Sequence, residues 1–167
     1  MTHADVLDRA RSAIGQGAVY RLGRGGYAPG APLPFGPTRE CDCSGFVCWC
    51  LRISRHVFEG HRLYGVYDHE WVSTSTIVQD ALSASPGAFL RLAWPQARPG
   101  DLLVYAGKPV GHVGVVGEVD ANGPVTVVHC SSGNFRRTND AIRETGVDKD
   151  AFWHLRGAIV VRPSWVA

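Results

Sequence analysis

A chain of 167 residues is long enough to bury a real core, and 45% apolar with 19% charged residues is a globular composition. The net charge of +2 is too small to mark a nucleic-acid binder. No apolar run approaches the roughly 20 residues that a bilayer span requires.

The first ten residues lack the basic start and continuous apolar run of a secretory signal. Cytosolic residence, a mature form and carriage by another export route all remain open. Residues 3 to about 16 suit a helix, with Val6, Leu7, Ala10, Ala13 and Ile14 at helical spacing and Gly15 and Gly17 ending it. From Gly23 to Pro37 glycine and proline are so dense that neither a helix nor a central strand can form. This loop runs directly into Glu40-Cys41-Asp42-Cys43-Ser44-Gly45-Phe46-Val47, so it is expected to wall a site there.

From Ser44 to about Ile53 the pattern is helical, which sets Cys43 at a helix start. The unpaired N–H groups and partial positive charge of a helix N-terminus are expected to lower a thiol's pKa and make it a nucleophile. Four of the five cysteines fall between positions 41 and 50. A disulfide scaffold spreads its cysteines to tie distant loops, so these read as reduced, one reactive and the rest packed. Zinc is disfavoured for Cys41-x-Cys43 and Cys48-x-Cys50, because the second pair lies in a helix where neighbours two apart diverge. No metal and no cofactor is expected.

Residues 55 to 72 read as irregular, with His56, His61 and His69 in loop or surface positions, as is His154 later. Ser73 to Thr76 cap a short helix that runs to Leu82. Pro99-Gly100-Asp101 is a turn before a buried strand, Leu102 to Tyr105. His112 to Val119 and Val125 to His129 are strands joined through Asp120-Ala121-Asn122-Gly123, a hairpin signal. Gly157 to Val161 supplies a last strand. Helices first and antiparallel strands afterwards argue for an α+β fold, helices packed on a sheet of about five or six strands. Without internal repeats, the chain reads as one domain over residues 1–167.

The hairpin turn decides the geometry of the two histidines. With a four-residue loop, Val119 opposes Pro124 and His129 opposes Gly114, making His112 and His129 diagonal neighbours roughly 7–8 Å apart at the backbone. An Asn122-Gly123 loop sets His129 opposite Val116, on the same face but out of reach; a three-residue loop separates the faces. Two histidines on one face suit a relay. His112 takes the proton from Cys43, and His129 accepts a hydrogen bond from the other ring nitrogen of His112. The Cys43 N–H and Tyr20 are candidates to hold the oxyanion.

Asp42-Cys43-Ser44-Gly45-Phe46, Arg98-Pro99-Gly100-Asp101-Leu102-Leu103-Val104-Tyr105, Gly111-His112-Val113-Gly114-Val115-Val116 and Val128-His129 together resemble the NlpC-type cell-wall cysteine peptidases. The resemblance covers about Val6 to Val161. It implies a papain-like fold and a thiol peptidase of peptidoglycan stem peptides, commonly cutting between γ-D-glutamate and a diamino acid. Cys43 resembles the nucleophile, His112 the general base and His129 the orienting residue, while Asp42 and Ser44 stand where the family binds the polar end of its peptide. In the family's Tyr-x-aromatic-Gly-Gly element, Tyr20 is kept but Leu22 replaces the aromatic and Arg24 the second glycine.

The same outline serves N-acetylmuramoyl-alanine amidases and acyltransferases, and a silent wall-fragment-binding module is a rival from another class. The implied partner is peptidoglycan or its peptide fragments, with an immunity or delivery partner if the chain is an effector or phage component. Localisation stays open between the cell envelope and cytosolic recycling of wall peptides.

Overall fold

Thr2 opens the first helix, α1 (His3–Ser12), by accepting from the Asp5 N–H while the Asp5 carboxylate accepts from the Thr2 N–H. The computed structural model describes residues 1–65, 71–85, 87–107, 110–147 and 152–167; His69 lies outside them. Val6, Leu7 and Ala10 are the buried side of α1. The helix is shorter than its apolar spacing suggests. The Asp140 carboxylate takes the N–H groups of Gly15 (2.7 Å) and Ala18 (3.2 Å), and Gly15 turns at φ +80°.

The chain then enters β1 (Val19–Tyr20). The proline-rich loop follows, and the chain returns as β2 (Glu40–Cys41), parallel to β1 with Tyr20 opposite Cys41. Asp42 caps α2 (Cys43–Cys50), whose eight residues are all buried. The helix is thus enclosed all round rather than along one face. Arg9 of α1 donates to Trp49 O (2.9 Å), Pro29 O (2.8 Å) and Ala31 O (3.0 Å), so one guanidinium ties α1, α2 and the loop together. On the loop side Gly45 makes the approach possible: a Cβ there would stand 2.5 Å from Arg24 O and 2.7 Å from Gly25 O.

α3 (Thr74–Leu82) has the expected cap, Ser73 paired reciprocally with Thr76. Its buried Asp80 accepts from the N–H groups of Gly87, Ala88 and Phe89, which anchors β3 (Phe89–Leu92), a strand the sequence reading did not identify. A 3-10 turn (Trp94–Gln96) leads to β4 (Leu102–Tyr105) and β5 (His112–Val116). The hairpin tip is β6 (Val119–Asp120) with β7 (Gly123–Pro124), and β8 (Thr126–Cys130) follows. α4 (Ser132–Thr138), β9 (Ile142–Gly146), α5 (Phe152–Leu155) and β10 (Ile159–Pro163) complete the chain.

The main sheet has six antiparallel strands in the order β3-β10-β4-β5-β8-β9, on the α+β plan that helices followed by strands imply. Alternation along its strands divides the core. Leu102, Val104, Val113, Val115 and Val128 join the residues of α1 and α2, whereas Leu103, Tyr105, Val116, Val127 and Val160 pack with Trp153. Asp101, fully buried ahead of β4, does more than close a turn. It accepts from Arg162 through Nε (2.8 Å) and Nη2 (2.7 Å), which fastens β10 beside β4.

Candidate active site

The hairpin adopts the register that brings the histidines together. Val119 pairs with Pro124 and Asp120 with Gly123. The Asp120 carboxylate accepts from Asn122 N–H (2.7 Å) and Gly123 N–H (3.1 Å), a local turn that fixes the reversal at Ala121-Asn122. Val115 then opposes Val128 and Val116 opposes Val127, so the same register sets His129 across from Gly114. The missing side chain is required there, since a Cβ on Gly114 would lie 2.9 Å from the His129 Cβ. In that space His112 Nε2 meets His129 Nδ1 at 2.7 Å.

The outer nitrogen of the pair has two polar neighbours, the hydroxyl of Thr145 and, at 3.4 Å, Asn134 Nδ2. His129 Nε2 lies 2.9 Å from Thr145 Oγ1 on β9. With the His129 proton on Nε2, donated to Thr145, Nδ1 is left to accept from the Nε2–H of His112, whose Nδ1 lone pair is then free. Trp153 covers the pair, its ring 5.1 Å from that of His112 and tilted by 32°. Burial pushes both imidazoles down: His112 well below its usual range, with His129 adding to the shift, and His129 to about 4, helped by the Arg137 charge. Both are neutral at pH 7.

Cys43 occupies the first turn of α2 and is 3% exposed. The Val113 and Ser44 N–H groups lie close enough to its sulfur to favour the thiolate, which sets the thiol near the residue that follows His112. No hydrogen bond joins the thiol to His112 among the described residues. The helix terminus does not produce a low pKa, contrary to expectation. Burial, then the neighbouring Asp42 charge, push the thiol up to about 12, outweighing the two N–H groups and the Arg55 charge. At rest the site therefore holds a thiol and a neutral imidazole pair. All five cysteines are free and buried. Among the described residues no group of three or more His, Cys, Asp or Glu is arranged to hold a metal ion.

Tyr20 is half-buried and lines the same pocket as His112 and His129, a cavity of about 520 Å³. Burial raises its phenol, as do the nearby Cys43 and Asp42, so its O–H remains a donor. Asp42 and Ser44 are placed differently. The Asp42 carboxylate accepts from Gly45 N–H (2.8 Å), Gly23 N–H (2.6 Å) and Arg55 Nη2 (2.8 Å). Ser44 Oγ accepts from Arg55 Nη2 (2.7 Å) and donates to Asp42 Oδ1 (3.2 Å). Both residues are buried, and like Cys43 neither lines the pocket. In the free protein their polar atoms serve the cap of α2 and its ion pair with Arg55.

Three residues that shape the site escaped the sequence reading. Arg55 sits in an irregular stretch with no periodicity to point it inward. Thr145 belongs to Ile142-Arg143-Glu144-Thr145-Gly146, a mostly polar segment with no apolar alternation to mark it as a strand. Trp153, tilted against His112 and edge-on to His129, is brought there by the fold alone.

A cysteine at a helix start, set beside a strand whose histidine is bonded to a second one, is the layout of the papain-like hydrolase class. The CHAP domain family model matches residues 35–134, more than half of the chain, including Cys43, His112 and His129; the chain belongs to this family. CHAP domains are amidase/peptidase domains related to the NlpC/P60 enzymes, and membership points to hydrolysis of peptidoglycan. The six-stranded α+β architecture is compatible with the papain-like fold of that family. The resemblance to NlpC-type enzymes is thus met at the broader level of this relationship, and the family that matches is CHAP. No curated protein matches the chain.

Proposed function

We propose that residues 1–167 form one catalytic module, a cysteine peptidase that hydrolyses peptidoglycan stem peptides at a γ-D-glutamyl–diamino acid bond. The observation that carries this reading is the 2.7 Å bond between His112 Nε2 and His129 Nδ1, continued to Thr145. It presents the Nδ1 lone pair of His112 as a base and holds that ring in one orientation.

Cys43 attacks the scissile carbonyl as its proton passes to His112. Because thiol and imidazole are both neutral at rest, transfer accompanies attack rather than preceding it. The imidazolium that forms is stabilised by the new negative charge and by its bond to His129. The Cys43 N–H, which has no acceptor among the described residues, and the Tyr20 hydroxyl bind the oxyanion in this reading. His112 then protonates the departing amine, and water, activated by the same base, hydrolyses the acyl-enzyme.

The test is mass spectrometry of purified muropeptides treated with the wild type and with Cys43→Ala. Stems cut between glutamate and the diamino acid, still attached to glycan, and only with the wild type, support the peptidase. Glycan strands freed of whole peptides would instead assign an amidase. Wall fragments bound but left intact would indicate a silent binding module.

A further inference from the structure

The active-site pocket is chemically two-sided. Tyr105, Phe152 and Trp153 give it an aromatic wall, and Arg136 and Arg137 of α4 stand in its lining beside Tyr20 and His129. Both arginines are exposed, and neither belongs to an ion pair among the described residues. Arg137 Nη2 donates to Asn134 Oδ1 (3.0 Å), a neutral partner that orients the guanidinium without neutralising it. No described residue of the lining is an aspartate or glutamate. The nearest acid on β9, Glu144, is occupied by Arg11 Nε (2.9 Å) and Nη2 (2.8 Å) and by the Thr126 hydroxyl (2.6 Å). At the mouth of this partly apolar cavity the two solvated guanidinium groups have no acidic partner among the described residues and are open to an anion.

We propose that Arg136 and Arg137 are specificity-determining residues that bind a free carboxylate of the peptide being cleaved. This rests on the peptidase reading above and narrows its substrate class. A glutamate joined through its γ-carbonyl keeps its α-carboxylate free, a short aliphatic chain away from the bond to be cut. With the γ-carbonyl at Cys43 and His112, that carboxylate is the group the arginines receive, while the aromatic wall takes the apolar part of the chain. The cavity volume suits a group of dipeptide size. The bound anion also offsets the Arg137 charge beside His129, so the correct substrate favours the positive charge that catalysis places on the histidine pair.

The experiment uses three synthetic L-alanyl-γ-D-glutamyl-diaminopimelate tripeptides. One carries all its carboxylates, one has the glutamate α-carboxylate amidated, and one has the diamino acid amidated. Binding to Cys43→Ala protein is followed by calorimetry, and cleavage by wild type is followed by chromatography. Amidation at glutamate is expected to weaken binding about tenfold or more, and amidation of the diamino acid much less. In Arg136→Gln/Arg137→Gln on the same background, acid and amide should bind equally.

Equal binding of acid and glutamate amide by the Cys43→Ala protein, a preference that survives in the double variant, or binding of none of the three overturns the proposal. A preference set by the diamino acid overturns the assignment to the glutamate side. Should the double variant not fold, the single variant of exposed Arg136 must still lose several-fold of the preference. Carboxylate-dependent binding without cleavage sinks the peptidase reading and leaves this one standing; cleavage without the preference does the reverse.

Discussion

Arg55 Nη2 lies 2.8 Å from Asp42 Oδ2, both side chains buried, one residue ahead of the candidate nucleophile. The same carboxylate holds the first turn of α2 through Gly45 N–H and the loop through Gly23 N–H. Replacing Arg55 with alanine leaves that carboxylate buried without its counter-ion, a loss of about 3–5 kcal/mol. The urea midpoint should fall accordingly, and an unchanged midpoint would show that water reaches the pair.

Gly45 is expected to tolerate no side chain. Its Cβ would collide with carbonyl oxygens of Arg24 and Gly25, which are backbone and cannot swing aside. Gly45→Ala should cost about 1–3 kcal/mol in chemical denaturation, despite alanine's better helix propensity. Stabilisation instead would mean that the loop yields easily.

Thr145→Val removes the hydroxyl that pairs with His129 Nε2, which is the acceptor of its N–H in the tautomer the relay requires. We expect turnover to fall about tenfold with KM little changed, and Thr145→Ser to restore most of it. A valine variant with full turnover would show that the far end of the relay does not hold the tautomer.

Stability should depend on pH through the histidine pair. His129 titrates at about 4 when folded, against 6.5 when unfolded, and His112 is shifted in the same direction. Between these values the unfolded chain binds more protons, so the stabilisation is complete above about 6.5 and disappears as pH falls toward 4. For His129 the loss is on the order of 3 kcal/mol. Replacing it by glutamine should flatten the melting temperature over that range, which a thermal series from pH 4 to 7.5 would measure.

The thiol should be sluggish in the free protein. With Cys43 pushed up to about 12 by burial, iodoacetamide labelling of residue 43 at pH 7.5 should be far slower than that of free cysteine and should climb steeply above pH 9. Peptide mapping of the alkylated site checks this. Rapid labelling at neutral pH would mean that thiolate and imidazolium coexist at rest.

The chain pattern carried the chemistry further than the architecture. Because a hairpin register is local, the Asp120–Gly123 signal narrows His112 and His129 to three registers, two with a shared face, and the structure adopts the one that makes them diagonal neighbours. β3 and β9 are at the sheet's two edges and were harder to see: β3 carries exposed Leu90 and Arg91, and β9 is polar along most of its length. The misread thiol has a different origin. A helix terminus is visible in sequence, but the burial of all eight residues of α2 depends on the distant loop and sheet. The buried partner that occupies Asp42 and Ser44 is equally non-local, since Arg55 reaches them through the fold alone.

The two-residue pairing of β1 with β2 has a practical consequence. Val19 N–H bonds to Arg39 O (2.8 Å) and Arg21 N–H to Cys41 O (3.0 Å), so the strands on both sides of the proline-rich loop are stitched to each other, with Tyr20 held against Cys41. The two ends of the loop are clamped, and the loop's length need not be felt at the nucleophile. Inside the clamp the loop has anchors of its own, Pro29 O and Ala31 O on Arg9, Ala31 O on Trp49 Nε1 and Pro34 O on Gly26 N–H, so new recognition would have to be grafted between these carbonyls, leaving them in place.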